Sequence, residues 1–426
     1  MLSFSVCSGV RMLADRYKDL TVGRLACYNN LCALIQLFLF SHDTLSETVR
    51  NTPWTHSVSD LSRAVHDFNG NRFMRRYRES ILRKYKGIPM NPDDFCFAID
   101  DTDNPKYGKN TYRNGRWRSS KGPYIGQKIL VVALVDIKRG FSIPLSYAFV
   151  PKKDDPEYKS GLDLSVELLS EILVAGFPRL KVVTDSWFDS AAFIADLKEL
   201  GLEFAGEIKG NRNVKDNPGP TVKWKKLPQL FKGVKRYRLS SRFDSKKVKM
   251  RQRKGKCAAE KIIMIKNFKS PLKCIAVYNR RNGKNAFAYY VSTDLSLTGA
   301  QLWEFSRARW KIECLFYDLK QNLSFGRLPC AGKEGADLAV CLPMLIYTSL
   351  RLDDAKKWGL EEQETIGTMV DKIKEKELTK SINTIIRNPK QIKVSILGAR
   401  RKLSHINKKP VNKFAEKTSY GQSVAA

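Results

Sequence analysis

Histidine is scarce in this chain, and acidic residues are outnumbered. None of the four histidines, His42, His56, His66 and His405, stands near a carboxylate motif. Their placement argues against a histidine-held metal or a histidine-activated nucleophile. The nine cysteines are odd in number and include no Cys-x-x-Cys pair. That argues against a disulfide framework and a structural zinc, and fits reduced thiols in a cytosolic compartment, mostly filling the core. Long apolar runs are missing too. The most apolar one, Ala33 to Phe40, is interrupted by Gln36 and falls far short of the roughly 20 residues a membrane helix needs. No membrane partner is expected, and the first residues lack the basic and continuous apolar regions of a signal peptide.

What is there in excess is positive charge. Against 43 Asp and Glu stand 76 Lys and Arg, a net +33 over 426 residues. A field of that size favours a polyanionic partner, above all nucleic acid. The length exceeds one ordinary core, so more than one domain is expected.

Residues 1–90 read as a helical domain. Leu25 to Phe40 is apolar, and Phe73, Tyr77, Ile81 and Tyr85 mark one helix face at spacing four. The other faces of that helix carry Arg72, Arg75, Arg76, Arg78, Arg83, Lys84 and Lys86, a basic surface suited to phosphate, with a solvated face as the alternative. Gly87, Pro89 and Pro92 end it. Over 91–208 the period becomes that of an α/β unit. Phe95 to Asp100 is a buried strand ending in Asp100 and Asp101, and Ile129–Ile137 and Phe141–Val150 form a hairpin about Lys138-Arg139-Gly140. Leu162–Ala175 is a helix, Leu180–Thr184 a strand ending in Asp185, Ser190–Leu200 a helix and Leu202–Ile208 a strand. This order predicts a mixed sheet with flanking helices.

Residues 209–297 read as a basic β-rich insertion, with short runs at Val234–Leu239, Lys247–Arg251, Lys261–Ile265, Cys274–Tyr278 and Ala286–Val291. Asn282-Gly283 is a hairpin signal, and Lys247, Lys249, Arg251 and Arg253 belong to a dense cationic strip. Residues 298–352 return to helix, from a capping box at Thr298 and Gln301 through Ser306–Lys320 to a buried helix over Leu338–Leu350. Within Ser306–Lys320, Ala308, Ile312, Leu315, Phe316 and Leu319 form a buried stripe, and Arg309, Glu313 and Lys320 rise along one face beside it. Residues 353–426 form a basic helical region and tail.

Asp100 and Asp185 end apolar strands, where ligands of open α/β sheets gather. With Glu313 they make a carboxylate set able to hold Mg²⁺. Two such ions can promote in-line phosphoryl displacement without a protein nucleophile. The bland alternatives are turn residues at strand ends and an ordinary ion pair on a surface helix.

The motifs AIDDT (Ala98–Thr102), VVTDSWF (Val182–Phe188), YYVSTDLSL (Tyr289–Leu297) and RWKIECLFYDLKQ (Arg309–Gln321) occur in this order. Together they resemble the DDE transposases of bacterial insertion sequences, specifically the insertion-sequence-four type. The resemblance implies a ribonuclease H-like core interrupted by a β insertion before the glutamate helix. It implies Asp100, Asp185 and Glu313 as catalytic metal ligands, with Asp101 the alternative first carboxylate, and two Mg²⁺ ions that Mn²⁺ can replace. Arg309 and Lys320 fall on the Arg and Lys of the family signature, where they contact DNA, whereas its Tyr position is occupied by Ser306. Trp224 is a counterpart of an insertion aromatic that stacks on a flipped base; a core tryptophan is its other reading. The implied partners are transposon-end and target double-stranded DNA, bound as a homodimer. The implied activity is cut-and-paste transposition in the bacterial cytoplasm at the nucleoid. A metal-dependent endonuclease without strand transfer and an inactive DNA-binding derivative are the alternatives.

Overall fold

A computed structural model describes residues 7–17, 28–40, 44–46, 48, 57–106, 108, 111–119, 122–216, 222–239, 256–279, 285–328 and 332–387. The chain opens with helices α1 (Ser8–Tyr17), α2 (Tyr28–Phe40), α3 (Val58–His66) and α4 (Gly70–Lys84). Asn69 caps α4 by accepting from the Arg72 amide at 2.9 Å, and Phe73, Tyr77 and Ile81 form its buried face as their spacing predicts. Strands β1 (Phe95–Pro105), β2 (Gly115–Ser119), β3 (Gly122–Asp136) and β4 (Phe141–Phe149) follow, then α5 (Gly161–Val174), β5 (Lys181–Thr184), α6 (Ala191–Glu199) and β6 (Phe204–Ile208). The β3–β4 hairpin turns at Gly140, whose φ of 77° suits glycine.

Next come β7 (Asn213–Lys215), β8 (Lys225–Lys226), α7 (Leu227–Leu230), β9 (Tyr237–Arg238), β10 (Cys257–Ile265), β11 (Leu272–Tyr278) and β12 (Ala288–Ser292). Helices α8 (Gly299–Ala308), α9 (Trp310–Asn322), α10 (Lys333–Leu352) and α11 (Ile366–Arg387) complete the described chain. The sheet runs β2-β3-β1-β5-β6-β12-β11-β10-β7-β8, with β4 on β3 and β9 on β10. β1, β5 and β6 are mutually parallel, and antiparallel neighbours flank them. The strands of residues 213–292 continue the same sheet, because β12 pairs directly with β6. This is the mixed α/β fold expected for a ribonuclease H-like transposase core.

Two readings of the sequence are refined. The helix expected over Ser306–Lys320 is two helices meeting at Arg309, where the Ile312 amide donates to the Arg309 carbonyl at 3.0 Å. Its apolar stripe is as expected, since Ala308, Ile312, Leu315, Phe316 and Leu319 are all buried. The capping box at Thr298 and Gln301 is present. Among the described residues, the helix long and apolar enough to cross a membrane is α10 rather than Ala33–Phe40, but 89% of its apolar window is buried inside the protein. It is the core helix expected over Leu338–Leu350. The buried Tyr77 hydroxyl, between the Pro144 carbonyl (2.7 Å) and Thr348 Oγ1 (2.6 Å), ties α4 to β4 and α10. Among the described residues, Cys7, Cys32, Cys96, Cys257, Cys274 and Cys341 are buried free thiols and Cys314 is exposed.

A buried charge also ties the N-terminal helices to the rest. The Asp353 side chain is fully buried just beyond α10 and accepts from Arg16 of α1 (3.1 Å), Lys84 of α4 and Ser349. Burial alone would raise its pKa, but these partners outweigh burial and hold it below the ordinary carboxylate value. Its contribution is therefore present above that range and lost as pH falls through the lowered pKa. Asp353→Ala leaves two cations facing a buried void and should cost about 3–5 kcal/mol. Urea unfolding at neutral pH measures the loss, and the difference between variant and wild type should shrink in acid.

Candidate active site

The parallel register builds the site. β1 and β5 pair Phe97 with Val182 and Ala98 with Val183. Two residues on, Asp100 stands level with Asp185. β5 and β6 pair Thr184 with Gly206, so Glu207 stands level with Asp185 in turn. β12 pairs Tyr290 directly with Glu207. Residues level on adjacent strands point to the same face and lie about 5 Å apart. The row Asp100, Asp185, Glu207, Tyr290 therefore lies on one sheet face just past the parallel pairing of β1 with β5; β1 does not end at Asp100 as the sequence suggests but runs on to Pro105 against β3. That face is the one α8 covers, since Lys181, two residues before Val183, ion-pairs with Asp294 (3.2 Å) and lies 5.3 Å from the Phe305 ring.

Helix α9 brings the remaining groups over the row. Arg309, at the joint of α8 and α9, places one guanidinium nitrogen 2.7 Å from Glu313 and another 3.6 Å from Asp100. The Asp100 and Glu313 side chains are 20% and 34% exposed, so water only partly screens their attraction to Arg309. Burial first, then Asp185, push the Asp100 carboxyl up to about 7, against the pull of Arg309. Burial likewise raises Glu207, opposed by Arg309 and reinforced by Asp185. Burial works against the Arg309 charge, but Glu313, Asp100 and Asp185 outweigh it and raise its pKa. Asp185 also accepts from the Trp187 amide at 2.9 Å, which fixes the turn after β5. Asp189 accepts from the Lys209 amide and from Arg212 Nε, each at 3.1 Å, and so holds the turns after β5 and β6 together.

The neighbouring aspartate points elsewhere. Alternation turns Asp101 to the opposite face, where both its oxygens accept from Lys128 at 3.2 and 3.3 Å. Lys320 donates to the Asp103 carbonyl and ties α9 to β1. Arg75 and Arg76 are exposed on α4, with Arg76 3.8 Å from Glu79. Two other cations of that helix are structural: Arg78 is buried against Ser146 and Glu171, and Lys84 pairs with Asp353. Trp224 is 42% exposed, not a core residue, with the Lys215 ammonium 5.0 Å from its ring. Lys247, Lys249, Arg251 and Arg253 lie outside the described residues. Glu207 and Tyr290 belong to the site without having been singled out in the sequence. For Glu207 the signal was present, an acid ending the apolar run from Phe204 as Asp185 ends the one before it.

A transposase DDE domain family model matches residues 92–349, more than half of the chain. The chain belongs to the DDE transposase family. Members of that family are DNA nucleases and strand transferases that use divalent metal ions. No curated protein matches the chain. Among solved structures, a chain from the cryo-EM structure of a piggyBac transposase synaptic complex with hairpin DNA is similar at a TM-score of 0.42 and 12% identity, over 94% of this chain and 77% of that one.

The donor set suits a hard divalent cation: half-buried carboxylate oxygens gathered about a positive charge, one of them made reluctant to ionise first by burial and then by Asp185. Among the described residues no three Asp, Glu, His or Cys side chains converge closely enough to hold an ion as they stand. The Arg309 guanidinium stands between two of the carboxylates, as the cation of the cluster. Because the fold raises Asp100 from 3.8 to about 7, folding favours its protonated form. In chelator the stability should fall as pH rises from about 4 to about 7. Asp100→Asn should flatten that slope, and urea unfolding at pH 5 and pH 8 measures it.

Proposed function

We propose that the chain is a cut-and-paste transposase of the insertion-sequence-four type that cleaves DNA at an element's terminal inverted repeats and joins the ends to target DNA. The observation that carries the reading is the level placement of Asp100 and Asp185 on adjacent parallel strands, with Glu313 joined to Asp100 through Arg309. In this reading Asp100, Asp185 and Glu313 hold two Mg²⁺ ions, which Mn²⁺ can replace. Asp101 is set aside because it serves Lys128 on the other face. The bound ions would raise the nucleophilicity of the attacking oxygen and offset charge on the leaving one.

The chain's own residues do the rest. Arg309 and Lys320 steady phosphates beside the scissile bond, while the basic strip Lys247, Lys249, Arg251 and Arg253 and the exposed Arg75 and Arg76 hold the flanking duplex. Trp224, exposed at the sheet's far end, stacks on an unpaired base. In cleavage a water oxygen attacks phosphorus and the 3′ oxygen leaves with its electron pair, taking up a proton as a free 3′-OH. In joining, that hydroxyl oxygen attacks a target phosphorus and the target's 3′ oxygen leaves. Charge steers the protein to DNA at the nucleoid of a bacterial cytoplasm, where it acts as a homodimer on paired ends. In this reading residues 1–90 are a helical DNA-binding domain, 91–208 and 298–352 the two parts of the catalytic core, 209–297 its basic β-rich insertion, and 353–426 a basic helical C-terminal region and tail.

With end DNA and Mg²⁺, Glu313→Gln, Asp185→Asn and Asp100→Asn should each lose cleavage and joining by about a thousandfold or more while still binding DNA. Asp101→Asn should keep both activities. Gel assays of cleaved and joined products decide. Undiminished cleavage by Glu313→Gln would remove that residue from the site, and cleavage without joining by the wild type would favour a plain endonuclease. DNA affinity should also fall steeply with salt, since many Lys and Arg neutralise phosphates. A flat response in fluorescence anisotropy would exclude the basic surface as the DNA contact.

A further inference from the structure

The site carries one more carboxylate than the metal-binding reading uses, and one cation placed where metal would enter. Glu207 is the third acid of the row, level with Asp185, and pairs with Tyr290 on the neighbouring β12. It lines an open pocket of about 390 Å³ together with Ser186, Lys209, Asn211 and Tyr289. Described contacts give its carboxylate no cation of its own, although the Arg309 charge reaches it. An ion coordinated by Asp100 and Glu313 competes with Arg309 for the same carboxylates, because a guanidinium and a divalent cation repel each other at such distances. An arginine driven from there needs an acceptor nearby, since a half-buried guanidinium without one is costly.

We propose that Glu207 is a positioning residue that receives Arg309 when divalent cations displace it from Asp100 and Glu313. Arg309 then acts as the internal cation of the metal-free cluster, and the Glu207 side of the row is its seat in the loaded one. From that seat the guanidinium borders the pocket and faces a phosphate placed there. The two arginine positions make metal entry and phosphate binding parts of one movement. This inference rests on the metal-binding role of Asp100, Asp185 and Glu313.

The test is a double-mutant cycle read as Mn²⁺ affinity by calorimetry on the full chain without DNA. Arg309→Met should tighten Mn²⁺ binding about tenfold, because the competing cation is gone. Glu207→Gln should weaken it about tenfold in the wild-type background, because Arg309 then stays among the ligands. In the Arg309→Met background Glu207→Gln should change the affinity by less than about twofold. Equal weakening in both backgrounds would make Glu207 a direct ligand and overturn the proposal, as would no weakening in either. Glu207→Asp, which keeps the charge on a shorter stem, should give an intermediate weakening and serves if the glutamine variant does not fold. Asp185→Asn separates the two levels: if it leaves Mn²⁺ binding unchanged, the metal site itself is misplaced, whatever the cycle shows.

Discussion

Like charges held at close quarters are the constraint on which this structure turns. A parallel register puts Asp100, Asp185 and Glu207 level on three neighbouring strands, at a spacing of about 5 Å set by backbone hydrogen bonds. The strands cannot relieve the repulsion without giving up their ladder. The acids must take up protons or find a cation, and in the metal-free chain both tendencies show: burial and then Asp185 raise Asp100 to about 7, and Arg309 bridges Asp100 and Glu313. A divalent ion answers the same demand more fully, which makes crowded carboxylates a means of binding metal.

The surrounding fold keeps the row from relaxing. Phe95–Ile99 of β1 and the whole of β5 are buried, so the strand ends cannot slide without exposing core. Lys181 fastens β5 to Asp294 below the site, and Lys320 fastens α9 to the backbone of β1 beside it. The joint at Arg309 matters in the same way. It starts α9 afresh one residue later, so Glu313 falls in the first turn of a helix, one turn on from the arginine that pairs with it.

Much of this was legible in the residues. The apolar runs ending in Asp100 and Asp185, the hairpin about Gly140, the buried stripe from Ala308 to Leu319 and the capping box at Thr298 all rest on local rules of period, turn chemistry and capping. The joint at Arg309 had no such mark, because neither proline nor glycine interrupts the helical pattern there. Arg78 and Lys84 looked like neighbouring surface cations, yet their partners, Glu171 and Asp353, lie far along the chain. Glu207 follows an apolar run as the two aspartates do, but nothing local says which strand will lie beside β5, nor that β1 runs on past Asp100 to Pro105.

By itself the sequence determined the family, the α/β class, the acids that follow apolar runs and the strong positive charge that calls for a polyanion. Each follows from composition or from short-range pattern. Tertiary structure alone decided which acids share a face and which cation lies among them. Asp100 and Asp101 are equivalent in a written motif. Pairing with β5 and β3 turns the first toward Arg309 and the second toward Lys128. The reason is physical: a strand's side chains alternate between faces, and only its neighbours determine which face becomes the site.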